Sequence, residues 1–161
     1  MTREQFIASV RAEQEGLRKF LLALCCGDRQ RADDIAQDAL VKAFLACDGY
    51  VPRAGFSAWL YKIAYNSFID GHRKRCVPTV DADSAPVSGT ASDLCSDGAF
   101  RYQDLYDAIE ELPPGERAAI LLFYMEDRPV KEISAILNIP QGTVRSQLTR
   151  GREHLRNKIK R

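Results

Sequence analysis

Six side chains near the C-terminal end carry the clearest chemistry in the sequence: Gln141, Thr143, Arg145, Ser146, Thr149 and Arg150. Arginine and glutamine form paired hydrogen bonds to base edges, and serine and threonine reach bases or phosphates. All six, and Arg152 beside them, face away from a stripe formed by Val144, Leu148 and Leu155, with Gly151 allowing a close approach on that side. A helix with this division fits a DNA major groove, and its N-terminus favours a phosphate.

Such a helix needs a partner to hold it. Val130, Ile133, Ile136 and Leu137 recur at helical spacing just upstream, and Asn138-Ile139-Pro140 interrupts them. Pro140 disfavours helical geometry in the residue before it. Residues 130–156 therefore read as two helices joined by a tight turn. A plain helical hairpin with a solvated basic face has the same shape. Charge favours DNA: from Arg128 to Arg161 there are nine Lys/Arg against Glu132 and Glu153, a net +7 in a chain of net +1. A concentrated positive patch on a near-neutral protein is the footprint of nucleic-acid binding.

The rest of the composition is that of a soluble globular protein, 45% hydrophobic and 28% charged. No apolar run approaches the roughly 20 residues that span a membrane, so no membrane insertion is expected. The N-terminus MTREQFIASVRAEQEG carries charges throughout and lacks a signal core, which points to the cytoplasm. Five cysteines (25, 26, 47, 76, 95) form no CxxC pair and read as reduced, partly buried thiols. His72 and Cys76, four apart, could place two ligands on one helix face, but a metal site needs three or four. No metal or other cofactor is expected. No nucleophile–base set, paired carboxylates or glycine-rich phosphate loop suggests an enzyme.

The chain reads as all-α. Residues 3–24 form a first helix, with Phe6, Val10, Leu17, Leu21 and Leu24 on one side. In residues 29–47, Ala32, Ile35, Ala36, Ala39, Leu40 and Ala43 form an apolar stripe. The other face carries Asp33, Asp34, Gln37, Asp38 and Lys42, either a solvated face or a docking surface for a basic partner. Residues 48–55 are a loop rich in turn formers. A third helix runs from about Phe56 to Arg75. Phe56, Trp59, Leu60, Ile63 and Ala64 look like core, while Lys62, Asn66, Asp70 and Arg73 form another stripe. The helix ends in His72-Arg73-Lys74-Arg75. Aromatics beside a basic run suit single-stranded nucleic acid. They equally suit a core helix whose C-terminus is capped by cations.

Residues 77–99 hold four Asp (81, 83, 93, 97) and no Lys or Arg. They read as a flexible acidic linker between two small helical domains, 1–76 and 100–161. The second opens with a helix near 100–112, stopped by Pro113-Pro114-Gly115. A helix over 115–126 follows, with Ala118, Ala119, Leu121, Leu122, Phe123 and Met125 as core. Asp127-Arg128-Pro129 then breaks the chain before the helix pair, giving a four-helix domain with a helix-turn-helix.

Three stretches in this order, ADDIAQDALVKAF, FSAWLYKIAYNSFIDGHRKR and LPPGERAAILLFYMEDRPVKEISAILNIPQGTVRSQLTRGREHLR, closely resemble the extracytoplasmic-function (ECF) group of bacterial RNA polymerase sigma factors. The resemblance covers nearly the whole chain apart from the linker. It implies a protein that gives core RNA polymerase its promoter specificity and helps open the duplex, without catalysis of its own. By carry-over, Asp33, Asp34, Gln37 and Asp38 contact the β′ clamp helices of the polymerase. Lys62, Asn66, Asp70 and Arg73 read the unwound −10 element, with Asn66 at the specificity position. The loop at 49–55 is similar to one that captures a flipped base, where a protein pocket offsets the lost stacking. Gln141, Thr143, Arg145, Ser146, Thr149 and Arg150 read the −35 element as duplex. At Thr149 several relatives carry larger residues. The second domain would also meet the β flap, and the linker would pass near the RNA exit path. The group commonly has an anti-sigma factor as a further partner.

Two other functions use the same features. A stand-alone helix-turn-helix regulator would need only the second domain, would commonly be a dimer, and leaves the acidic and aromatic-basic helices unexplained. A sigma-like decoy that binds an anti-sigma factor would need the fold but not the basic recognition face that this sequence keeps.

Overall fold

The computed structural model describes residues 2–50, 55–76 and 105–159, with the backbone alone for 72–76 and 159. The acidic linker, the first residues of the 100–112 helix and residues 51–54 of the predicted loop lie outside the described residues. Every regular element among the described residues is helical: α1 (Arg3–Leu24), α2 (Arg29–Ala46), a 3-10 turn (Cys47–Gly49), α3 (Phe56–Cys76), α4 (residues 105–110), α5 (Pro114–Ile120), a π-helical turn (Leu121–Met125), α6 (Val130–Leu137) and α7 (Gln141–Ile159).

Local chemistry sets these boundaries. Thr2 and Gln5 form a reciprocal capping box at the start of α1, with backbone-to-side-chain bonds of 3.2 and 3.0 Å. Cys26 and Gly27, both at positive φ, turn the chain out of α1. Asp28 then caps α2 by accepting from Arg31 N at 3.1 Å. Pro114 starts α5 at a position where no amide hydrogen is needed.

The first domain packs α1, α2 and α3 together. Ala32, Ile35, Ala36, Ala39 and Ala43 are buried as expected, and Leu40 packs against the core edge. Leu17, Phe20, Leu21, Leu24, Leu60, Ala64 and Phe68 complete the centre. Burying each of the larger side chains contributes about 1.5–3 kcal/mol. The aromatic helix reads more apolar than expected: Tyr61 and Phe68 are fully buried, while Phe56, Trp59 and Ile63 lie partly buried at the rim. Tyr61 is covered by Phe20 and Gly16 of α1 and by Glu126 and Arg128 of the second domain.

The second domain packs α5 across α6 and α7. Asn138 ends α6 in the left-handed conformation, φ 56 and ψ 47. Ile139 N then donates to Ser134 O at 3.2 Å, which closes the turn before Pro140 is reached. Val144 and Leu148 are buried, and Leu155 packs against the core edge. A Cβ on Gly151 would lie 2.8 Å from Ile120 Cγ1 and 3.1 Å from its Cδ1. We therefore expect Gly151→Leu to destabilise the fold by about 2–3 kcal/mol through overpacking, despite leucine's better helix propensity. A urea titration that left the midpoint unchanged would refute this close approach.

The two domains form one body with a single contiguous core. Nothing in the sequence pattern had fixed that arrangement.

Candidate nucleic-acid interface and the domain boundary

On α7, Gln141, Thr143, Arg145, Ser146, Thr149 and Arg150 are all exposed, while Val144 and Leu148 between them are buried. Arg145, Ser146, Thr149 and Arg150 line one shallow surface hollow. Ser146 Oγ donates to Gly142 O at 3.1 Å, and Thr149 Oγ1 donates to Arg145 O at 3.0 Å. With their hydrogens engaged along the helix, both hydroxyls present lone pairs outward, suited to amino donors on base edges. Arg152, one turn on, is turned aside: its Nε donates to Leu148 O at 3.2 Å and its Nη1 to Tyr124 Oη at 3.3 Å.

On α3, Asn66 and Asp70 are exposed one turn apart, and Lys62 is half-buried. The side chain of Arg73 lies outside the described residues, as do those of His72 and Cys76. The ends of the predicted base-capture loop are described. Tyr50 stacks obliquely on Trp59 with ring centroids 4.7 Å apart, and Phe56 lies 6.0 Å from Tyr50 and 5.7 Å from Trp59. At the other end Gly55 takes φ 87, a conformation that favours glycine.

On α2, Asp33, Asp34, Gln37 and Asp38 are exposed together on the face opposite the alanine stripe. Lys42 organises one edge of it, 2.9 Å from Asp38 Oδ2 and donating to Ser67 Oγ on α3 at 3.1 Å. The stripe does not end with the acids: Val41, Phe44 and Leu45 are exposed further along the helix.

The sequence reading missed the residues at the domain boundary. Arg117 is buried and donates to four main-chain carbonyls. Its Nε reaches Ile109 O at 3.1 Å, and its Nη2 reaches Glu110 O at 2.9 Å and Leu112 O at 3.1 Å. Its Nη1 reaches Leu24 O, at the end of α1, at 3.0 Å. One cation thus serves the chain ends of two helices, where partial negative charge collects. A second knot lies beside it. Arg128 stands 4.5 Å over the Tyr61 ring, bonds to Ser57 Oγ and Glu132, and lies 3.9 Å from Glu13. Tyr61 Oη donates to Glu126 Oε2 at 3.1 Å. Burial, above all, pushes the Tyr61 hydroxyl and the Glu126 carboxyl upward from their ordinary ranges.

The π-helical turn aims these side chains. Glu126 N bonds back to Leu121 O, five residues earlier, and Arg128 N to Leu122 O. The wider turn, followed by Asp127 at φ 52, swings Glu126 and Arg128 towards α1 and α3. One signal in the sequence pointed here: Arg117 shares the helical phase of the core residues Ile120 and Leu121.

Burial also raises the Cys25 thiol, to about 11, and raises Cys26. Cys25, Cys26 and Cys47 are free thiols, and no cluster among the described residues could hold a metal ion. No described helix is long and apolar enough to cross a membrane.

A helical body that presents a helix-turn-helix on one domain and an acidic helix face on the other fits the class of DNA-directed transcription proteins. Comparison with known proteins narrows this. Residues 10–76 match the family described as sigma-70 region 2, and residues 102–155 match sigma-70, region 4. The chain is 36% identical over 146 residues to the ECF RNA polymerase sigma factor SigW of Bacillus subtilis, covering 83% of this chain and 78% of that one. It is 30% identical over 138 residues to the ECF RNA polymerase sigma-E factor of Escherichia coli K12, covering 78% and 72%. Its fold is similar to that of the sigma factor RpoE from Bartonella quintana, solved in complex with the anti-sigma factor NepR: TM-score 0.84, 27% identity, 98% of each chain covered. The chain belongs to the ECF RNA polymerase sigma factors. It directs transcription initiation, and sigma factors are not themselves catalytic. The region 2 match accounts for the helices that a stand-alone regulator would leave unexplained.

Proposed function

We propose a division of labour along the chain. Residues 1–76 dock on core polymerase and hold the unwound −10 element. Residues 77–99 link the domains past the RNA exit path. Residues 100–161 read the −35 element as duplex and meet the β flap. Asp33, Asp34, Gln37 and Asp38 face the β′ clamp helices. Asn66 and Asp70, with Lys62 and Arg73, face the single strand, and bases leaving the stack enter beside Tyr50 and Trp59. Gln141, Thr143, Arg145, Ser146, Thr149 and Arg150 face the major groove. The cytoplasm is the compartment where these partners meet, and an anti-sigma factor is the fitting regulator.

The observation that carries this reading is the separation of three polar faces. The α2 acids, the α3 pair Asn66 and Asp70, and the α7 residues are each exposed over a buried apolar stripe of the same helix. The test is co-elution with bacterial core polymerase in size-exclusion chromatography, beside the variant Asp34→Lys/Asp38→Lys. Like charges set against a basic partner cost several kcal/mol. The reversal should therefore weaken binding at least about tenfold, equivalent to about 1.4 kcal/mol. Equal co-elution by both proteins would move the docking face elsewhere.

A further inference from the structure

Arg152 stands at the border between the two faces of α7. It follows the buried Leu148 by four residues and the exposed Thr149 by three, so it lies between the apolar stripe and the base-facing row. Arg145 and Arg156, seven residues before it and four after, share this edge and are exposed. A helix lying in a major groove turns its middle row to the bases and its edges to the sugar-phosphate strands.

The Arg152 side chain is held at that edge by two bonds. Its Nε donates to Leu148 O at 3.2 Å and its Nη1 to Tyr124 Oη at 3.3 Å. Tyr124 belongs to the π-helical turn, 28 residues earlier in the chain, and is 54% exposed. Its ring is braced all the same. It meets Phe123 edge to face, with centroids 5.0 Å apart, and Phe123 packs against the core. Among the described residues, no carboxylate forms an ion pair with Arg152. A guanidinium carries more N–H donors than these two bonds use, and the rest remain for an anion. Tyr124, which accepts from Arg152, keeps its own hydroxyl hydrogen as a further donor at the same place. A surface hydrogen bond of this kind adds little to stability. Its effect is to hold a cation still, so that less side-chain freedom is lost when an anion arrives.

We infer that Tyr124 and Arg152 form a clamp for one phosphate of the promoter duplex, at the edge of the groove and outside the six base-facing residues. This rests on the sigma-factor reading above, through the placement of α7 in duplex DNA. The clamp carries no sequence information. It sets the register in which Arg145, Ser146, Thr149 and Arg150 meet the bases.

The test uses the full chain and a short duplex of random sequence, because a phosphate contact is blind to sequence. Binding is read from about 50 to about 200 mM salt. Arg152→Gln should weaken binding to every sequence alike and lower the slope of log affinity against log salt by about 0.9. Arg152→Lys keeps the charge and hence the slope. It should still bind about twofold to tenfold more weakly, since an ammonium cannot serve Leu148 O, Tyr124 and a phosphate at once. Tyr124→Phe keeps the ring on Phe123. It too should keep the slope and lose about twofold to tenfold in affinity. Both positions are exposed, so the fold survives each change. An unchanged slope in Arg152→Gln, wild-type affinity in Tyr124→Phe, or a wild type that does not bind at about 50 mM salt would overturn the clamp. Co-elution with core polymerase should be the same for all four proteins. Its loss in the variants alone would overturn the clamp by placing the pair against polymerase. Its absence in the wild type would reject the sigma reading, while the salt slope still decides the clamp.

Discussion

Arg145→Ala combined with Arg150→Ala should abolish promoter-dependent transcription while leaving polymerase binding intact. Both side chains are exposed on α7, over the buried Val144 and Leu148. Exposed substitutions of this kind change stability by no more than about 0.5 kcal/mol, so the fold survives. Each arginine that grips a base edge contributes about 1–3 kcal/mol of discrimination. Together the two losses reach about 2–6 kcal/mol if they add, which is from about thirtyfold to more than ten-thousandfold in promoter affinity. Lysine should not restore it, because a point charge lacks the paired donors. Salt dependence separates base reading from phosphate anchoring. A lost phosphate contact lowers the salt slope by about 0.9, whereas a lost base contact lowers sequence discrimination with the slope kept. Transcription that survived the double substitution would place the recognition face elsewhere on the domain.

The largest effect on stability is expected at Arg117. Its guanidinium is buried and supplies four carbonyls, two at the end of α4, one just beyond it at Leu112 and one at the end of α1. Arg117→Ala leaves all four without that donor inside the core. Removing one side of a buried charged network costs about 3–5 kcal/mol. For a chain of this size each kcal/mol is about 2–4 °C, so the melting temperature should fall by about 6–20 °C. Arg117→Lys should rescue little, since an ammonium cannot reach carbonyls spread over a planar fork. A loss below about 1 kcal/mol would mean that water replaces the guanidinium, and that the boundary is looser than the geometry shows.

Much of the fold was legible because local chemistry and tertiary packing agree. The alanine stripe of α2 and the prolines at 113, 114, 129 and 140 marked the helices to within a residue or two. The faces of α2 and α7 were legible because their polar and apolar residues alternate at helical spacing. Three things were not. The π-helical turn over LLFYM is invisible to periodicity, since an apolar run reads the same in either helix type. The burial of Tyr61 depends in part on Glu126 and Arg128, which lie more than 60 residues away in sequence and reach α3 only when the domains meet. Arg117 did not stand out, because a cation that satisfies carbonyls looks in sequence like one that satisfies water.

The bond from Arg117 to Leu24 joins residues 93 apart. A ribosome adds about 5–20 residues per second. Arg117 follows Cys76, the end of α3, by 41 positions, so it is made roughly 2–8 s later. During that interval the first three helices have left the peptidyl-transferase centre without the guanidinium that Leu24 O accepts from in the folded chain. Every molecule is therefore born unlocked.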